Sequence, residues 1–70
     1  METHQQTRRF TVEVSGSWLD PVTRTEEART ETFNVTAGHR AAAEMAGVQL
    51  YSSAAAANRF RAGDCTAKAG

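Results

Sequence analysis

The residues whose types suit nucleophilic catalysis are one cysteine and two histidines: Cys65, His39 and His4. A thiol needs an adjacent imidazole and a third group that orients the imidazole. The sequence offers no such third member. Cys65 falls on the predicted inner face of an edge strand, where a thiol behaves as a small apolar side chain. Since no Cys/His set has zinc spacing, we expect no metal site, no cofactor and no enzyme activity.

Carboxylates are concentrated around the segment that joins the two predicted strands: Asp20, Glu26, Glu27 and Glu31. Paired carboxylates can transfer protons or bind cations. Here the spacing does not match a calcium loop, and the segment is typical of a solvated charged arm. Such an arm suits contact with a basic patch on a partner.

Two aromatic residues fall outside the regular hydrophobic patterns. Trp18 follows Gly16, beyond the alternating part of the first strand, and Tyr51 points away from the predicted apolar stripe of the helix. Aromatic side chains of this kind are favoured anchors in interfaces. For Trp18 an equal alternative is that it folds back over the open end of the core. The predicted partner-binding residues are Trp18, Glu26, Glu27, Glu31 and Tyr51.

The segment Arg59-Phe60-Arg61 places an aromatic residue between two cations. Such a segment can stack a base and hold phosphates. The alternative, which we favour, is that Phe60 closes the end of the core while the arginines stay in water. A nucleic-acid surface would gather scattered cations and bind weakly, with strong salt dependence. Its residues would be Arg8, Arg9, Arg40, Arg59 and Arg61.

Hydrophobic periodicity changes halfway along the chain. Alternation over Arg8 to about Trp18 and over Arg29–Ala37 predicts two strands, each with one buried face. Asp20-Pro21 predicts a turn within a loop of residues 20–28, and Gly16 indicates a bulge or bend. The inner residues are Phe10, Val12, Val14, Phe33 and Val35, and the polar outer face comprises Arg9, Thr11, Glu13, Thr30, Thr32, Asn34 and Thr36.

An Ala-rich run predicts a helix that begins near Gly38, with Gly38 or Thr36 as N-cap, and ends near Asn58. Its predicted apolar stripe is Ala42, Met45, Ala46 and Leu50. A rival interpretation ends the helix at Ala46 and makes residues 48–52 a strand. We favour the continuous helix, because residues 54–57 are strong helix formers.

After a predicted turn at residues 62–64, Cys65, Ala67 and Ala69 alternate with polar residues and indicate a third strand. A right-handed crossover would place it beside strand one, antiparallel to it. The sequence therefore predicts an α+β fold of ββαβ order, with a three-stranded antiparallel sheet in the order 2-1-3 and one helix on one face. Residues 1–70 would form one domain with a flexible tail at residues 1–7.

Composition limits the core. Of the 70 residues, 40% are hydrophobic, but thirteen are alanines and there is no Ile. A domain of this size has little hydrophobic stabilisation, so self-association as a homodimer or docking on a larger partner is expected. No apolar run is long enough to span a membrane, and residues 1–6 lack the apolar core of a signal peptide, so we expect a cytoplasmic protein.

Net charge is zero, with −2 in residues 1–35 and +2 in residues 36–70. This mild asymmetry argues against an acidic DNA mimic and against a strongly basic nucleic-acid binder.

In size and element order the chain resembles small proteins of phages and mobile elements, among them the anti-CRISPR proteins. The segments that resemble them are the strand pair, residues 10–14 and 32–36, and the Ala-rich helix from residues 41–46 onward. The resemblance implies a non-enzymatic protein that occupies a surface of a large nucleoprotein complex. It assigns no residue roles, since these proteins share no motif. Because the chain is neutral, steric occlusion is favoured over DNA mimicry.

The leading hypothesis is therefore a non-enzymatic binding protein that occludes a site on a larger protein or nucleoprotein complex. The runner-up is a small nucleic-acid-binding or regulatory module that uses the weak basic surface. A structural homodimer is the third.

Overall fold

The structure, a computed structural model, describes residues 7–70. Strand β1 is Arg8–Leu19, strand β2 is Glu26–Ala37, helix α1 is Arg40–Ala57 and strand β3 is Arg61–Ala69. The predicted α+β fold with ββαβ order is confirmed. Most of the predicted flexible tail, together with His4, lies outside the described residues.

The sheet has three antiparallel strands in the order β2-β1-β3, as predicted. The β1–β2 hairpin pairs without interruption from Arg8 opposite Ala37 to Leu19 opposite Glu26. On the other side of β1, β3 pairs from Val12 opposite Ala69 to Leu19 opposite Arg61. The central strand β1 therefore holds both edge strands and carries most of the buried large side chains.

One face of the sheet packs on α1 and forms the core. Phe10, Val12, Val14 and Trp18 of β1 are buried beneath the helix, with Val35 of β2 beside them. Phe33, Cys65 and Ala67 are half-buried against this cluster. Successive residues of a strand point to opposite faces, so the alternation located Phe10, Val12, Val14, Phe33 and Val35 correctly. Trp18 was not among the inner residues that alternation predicted.

Gly16 lies in β1 at the place where the pairing of β1 with β3 becomes irregular. The register shifts between Gly16 and Trp18, so Gly63 and Asp64 face the single residue Ser17. A Cβ on Gly16 would lie 2.6 Å from both the Asp64 carbonyl oxygen and Cys65 Cβ. An irregularity beside Gly16 was predicted, but the extra residue is in β3 rather than in β1, and glycine permits this close approach of two backbones.

The buried stripe of α1 differs from the predicted one. Ala43, Gly47, Tyr51 and Ala55 face the sheet, whereas Met45 is 68% exposed and Leu50 is 42% exposed. The prediction chose the largest apolar side chains. The helix instead packs so close to β1 that a Cβ on Gly47 would lie 2.5 Å from Val12 Cγ1. Gly47 permits that approach, and Ala43 and Ala55 are the other small residues of the buried stripe.

The two ends of α1 are capped differently. At the start His39, rather than the predicted Gly38 or Thr36, is the N-cap, and its Nδ1 accepts from the Ala42 N–H at 3.2 Å. At the end Arg59 N–H donates to the Ala56 carbonyl and Phe60 N–H to the Ala55 carbonyl, at 3.0 and 2.8 Å. This is a Schellman motif, with Arg59 in the left-handed position that favours glycine (φ 65°).

Several predicted boundaries were wrong. Strand β2 begins at Glu26 rather than Arg29, because the hairpin arms extend to a short loop of residues 20–25. Strand β3 begins at Arg61, and residues 62–64, predicted as a turn, form the bulged start of the strand. The reversal of direction falls instead at Asn58 and Arg59, directly after α1.

Candidate binding surfaces

Trp18 lies at the centre of an aromatic cluster beneath the C-terminal half of α1. Its ring is 5.9 Å from that of Tyr51, edge-on, and 5.5 Å from that of Phe60. The guanidinium of Arg29 lies 4.3 Å from the centre of the Trp18 ring. Trp18 is 1% exposed and Tyr51 is fully buried. The prediction that these two aromatics are surface anchors was therefore wrong, and Trp18 closes the core as its alternative stated.

The two polar groups of this cluster, the Tyr51 hydroxyl and the Trp18 indole N–H, differ in their hydrogen bonding. The Tyr51 hydroxyl donates to the Arg29 carbonyl oxygen at 2.8 Å. Burial raises the pKa of Tyr51 above its ordinary value, because the phenolate would lose solvation. The Trp18 Nε1–H has no hydrogen-bond partner among residues 7–70. The cluster thus derives its stability mainly from aromatic packing and from the Arg29 contact.

The predicted acidic arm is not one patch. Glu27 and Glu31 flank Arg29 on the helix side of β2, at 3.5 and 3.7 Å from its guanidinium nitrogens. Glu26 is one position out of phase with them and lies on the opposite face of the sheet. Asp20 is in the loop, where its carboxylate accepts from the Val22 and Thr23 N–H groups, which lowers the pKa of that carboxyl.

The structure does not bring the thiol and the imidazole together. His39 follows β2 just after Ala37, which is opposite Arg8, whereas Cys65 is opposite Gly16. Arg8 and Gly16 are eight positions apart in β1, which is roughly 26 Å at about 3.3 Å per residue. Cys65 is half-buried on the inner face of the edge strand β3, as predicted. Within residues 7–70 no group of three or more metal-ligating side chains is present.

The predicted cationic residues separate into two groups. Arg8, Arg9 and Arg40 lie where β1 and α1 begin, whereas Arg59 and Arg61 follow the end of α1. The 18 residues of the helix separate these places by about 27 Å. The single basic surface of the runner-up hypothesis is therefore divided between opposite ends of the molecule.

The hairpin end, where the β1–β2 loop meets the end of α1 and the start of β3, contains an open cleft of about 700 Å³. We call it the hairpin-end cleft; its lining is Pro21, Ser52, Ala56, Arg59, Phe60, Arg61 and Ala62. A second depression of about 460 Å³ shares Pro21 and Arg61 with it and adds Leu19 and Arg24. Arg24 thus joins Arg59 and Arg61. Sequence reasoning missed Arg24, because nothing in the sequence shows that the loop meets the end of the helix.

The face of the sheet opposite α1 is uncovered and polar. The register aligns Thr32, Glu13 and Lys68 in one row across the three strands, and Thr30, Ser15 and Thr66 in the next. The hydroxyls of Ser15 and Thr30 are 3.1 Å apart and hydrogen-bonded. We call this surface the open face; its residues are Arg9, Thr11, Glu13, Ser15, Thr30, Thr32, Asn34, Thr36, Thr66 and Lys68. The sequence predicted its β1 and β2 portions, and β3 extends it.

α1, the one helix among residues 7–70, does not combine the length and the apolar character needed to cross a membrane. Comparisons of the chain with protein-family models, with curated proteins and with solved structures found no match.

Proposed function

We propose that this protein is a non-enzymatic binding protein that occludes a site on a larger protein or nucleoprotein complex. The observation that supports this proposal is the open face: three long strands present one continuous polar surface, and α1 supports the sheet from behind. Antiparallel sheets often leave a polar face in water, so exposure alone does not favour binding. The composition of the face provides the further argument.

Most side chains of the open face are short. Threonine and serine supply hydroxyl donors and acceptors, and threonine has a restricted χ1, so little side-chain entropy is lost when a partner orders them. Cross-strand hydrogen bonds already hold part of the array, as between Ser15 and Thr30. A surface of this kind matches a partner that is itself flat and polar.

The charged residues on the uncovered side of the sheet carry opposite signs. Glu13 and Lys68 are cross-strand neighbours, and Arg9 lies nearer the start of β1. Mixed charge favours a protein surface over the uniformly negative backbone of a nucleic acid. The resemblance in size and element order to anti-CRISPR proteins makes a CRISPR effector complex the first assembly to test.

The experiment enlarges two neighbours on the open face. Thr30→Tyr and Thr32→Tyr together preserve strand propensity but project two rings from the face. The matched control is Gln49→Tyr on the exposed side of α1. We expect purified CRISPR effector complexes, and complexes captured from a host lysate treated with nuclease, to be retained by the native protein and by the control. The double variant should lose them.

Equal retention by the double variant would contradict the proposed binding face, and capture of no complex by the native protein would contradict the proposal itself. Circular dichroism melts of all three proteins test whether the variants are folded. Melts at several protein concentrations separately test the homodimer hypothesis, because a homodimer melts at a temperature that depends on its concentration.

A further inference from the structure

Three arginines from two segments of the chain lie at the hairpin end. Arg24 is in the β1–β2 loop, and Arg59 and Arg61 are in the segment that joins α1 to β3. Arg59 and Arg61 line the hairpin-end cleft, and Arg61 and Arg24 line the depression beside it. Among residues 7–70, none of the three has a carboxylate within 4.0 Å, whereas Arg29 has two. Their charges are therefore available to a ligand.

The backbone at two of these arginines is unusual. Arg24 has φ 63° and Arg59 has φ 65°, and they are the non-glycine residues with positive φ in the described chain. Glycine is the usual residue in this conformation, because a Cβ crowds the carbonyl there. Both positions thus hold a long cationic side chain at the expense of backbone strain. Strained residues of this kind cluster at functional sites.

The lining of the hairpin-end cleft is mostly apolar. Phe60 lines it while packing on Trp18 at 5.5 Å, so the ring is held in place, and Pro21, Ala56 and Ala62 also line it. An aromatic and aliphatic lining accepts the face of a nucleobase, and guanidinium groups bind phosphate oxygens in pairs. The volume of about 700 Å³ lies within the range of small-ligand sites.

We propose that the hairpin-end cleft binds the phosphodiester backbone and an unstacked base of a single-stranded nucleic acid. A duplex hides its base faces and does not fit an apolar lining, and an acidic peptide would leave that lining unused. This site adjoins the hairpin end of the open face, because Arg61 pairs with Leu19, but it shares none of the residues named for the open face and does not depend on the proposed function. A protein with both surfaces would contact a nucleoprotein complex in two places. The open face would contact the protein component, and the hairpin-end cleft would contact an exposed single strand of the nucleic acid.

The probe is a fluorescein-labelled ten-residue oligothymidylate, followed by fluorescence anisotropy at low salt. Three phosphate contacts predict that the logarithm of the association constant falls with the logarithm of salt concentration with a slope of about −2. Arg59→Gly, Arg24→Gly and Arg61→Gln should each weaken binding several-fold and make the slope shallower by about 0.7.

The two glycine substitutions separate binding from folding. Each removes a guanidinium and also relieves a left-handed backbone, so thermal melts should show equal or higher stability while binding falls. A destabilised fold could not produce that combination. The matched control is Arg40→Gln, which removes the same charge at the opposite end and should change the affinity by less than twofold.

Four outcomes would overturn the proposal. The first is no anisotropy change at low salt, which would mean no binding. The second is an equal loss of affinity in Arg40→Gln, which would mean diffuse electrostatic attraction. The third is displacement of the oligonucleotide by inorganic phosphate at an equal total concentration of phosphate groups. The fourth is equal displacement by a poly-glutamate peptide. The Thr30→Tyr/Thr32→Tyr variant should bind the oligonucleotide normally, so failure here and failure of the proposed function are distinguishable.

Discussion

The hairpin end and the opposite end of the molecule are built from different side chains. At the hairpin end Trp18, Tyr51 and Phe60 pack together under the guanidinium of Arg29. At the opposite end, where β1 and α1 begin, the buried residues are Phe10, Val35, Ala43 and Ala69. Large aromatic side chains contribute more burial free energy than alanines. The fold therefore concentrates its stability at the end that also contains the arginines.

The two ends of α1 also differ in how they are capped. The hairpin end is closed by the Schellman hydrogen bonds from Arg59 and Phe60, with Asn58 Nδ2 donating in addition to the Ala54 carbonyl at 2.8 Å. The opposite end has the His39 cap, and the first turn contains no acidic residue to complement the helix dipole. Local opening should therefore begin at the start of α1, while the arginine-lined end stays ordered.

The largest effect that would test this comparison is expected from Trp18→Ala. Removal of a buried aromatic side chain costs about 3–5 kcal/mol, and Trp18 also holds the rings of Tyr51 and Phe60. A 70-residue domain has little stability in excess of that loss. We expect no cooperative urea transition in the variant, measured by far-UV circular dichroism.

The matched substitution at the opposite end is Val35→Ala, which removes a side chain that is 8% exposed. It should lower the free energy of unfolding by about 2 kcal/mol and leave a cooperative transition. If Val35→Ala unfolded the chain while Trp18→Ala left it folded, stability would be concentrated at the opposite end and the comparison would be wrong.

Gly47→Ala tests the contact that joins the two ends, where α1 touches the middle of β1. Alanine is the better helix former by about 1 kcal/mol, but its Cβ would lie 2.5 Å from Val12 Cγ1 and 3.2 Å from Val12 Cβ. Overpacking of this kind costs about 1–3 kcal/mol. We expect net destabilisation by about 2 kcal/mol in urea melts.

Gly38→Ala is the control for this prediction, since a Cβ there meets nothing within 4 Å. Its free energy of unfolding should change by less than about 0.5 kcal/mol, as at an ordinary surface position. A Gly47→Ala variant more stable than the native protein would mean that α1 packs on the sheet with other residues.

The strands and their order could be predicted from the sequence, but the helix stripe could not. Phe10, Val12 and Val14 alternate strictly, and a period of two admits only one choice of inner face. The helix offered two choices: one stripe with Met45 and Leu50, and another with Gly47 and Tyr51. The second faces the sheet because Gly47 permits close approach of the helix to Val12, while Tyr51 packs on Trp18. The four-residue spacing of Ala43, Gly47, Tyr51 and Ala55 is the feature of the sequence that indicates the buried stripe.

Residues of the candidate surfaces could be predicted only where the pattern within a single strand or helix places them on one face. The β1 and β2 part of the open face follows from alternation within each strand. The hairpin-end cleft does not, because it joins a loop, a helix cap and the start of a strand whose meeting is a property of the tertiary structure. The left-handed backbone of Arg24 and Arg59 was equally hidden, since the sequence places no glycine there.

Tyr51 provides a smaller test, at the hairpin end alone. It is the single tyrosine of the chain, so absorbance near 295 nm reports its ionisation without overlap from others. Burial raises its pKa in the folded state. The corresponding stability is fully present below the ordinary tyrosine pKa of about 10 and is lost as the pH rises through the higher folded value.

The absorbance midpoint should therefore lie above that of free tyrosine and coincide with alkaline unfolding. Tyr51→Phe should lower the free energy of unfolding at neutral pH by about 1 kcal/mol, through loss of the hydrogen bond to the Arg29 carbonyl. The free energy of unfolding of this variant should also fall less as the pH rises into the alkaline range, because the variant has no phenol to ionise. Ionisation at the ordinary value in a folded protein would show that the aromatic cluster is open to water.

The smallest effect concerns the opposite end, where His39→Asp should raise stability. Aspartate is among the best N-cap residues, and its negative charge also complements the helix dipole, which nothing acidic does in the native first turn. We expect a gain of about 0.5–1 kcal/mol in urea melts at neutral pH. Amide exchange should slow mainly in the first turns of α1, and the hairpin end should be unchanged. Equal slowing at both ends would mean that α1 opens as one unit, so that its two ends differ in composition but not in stability.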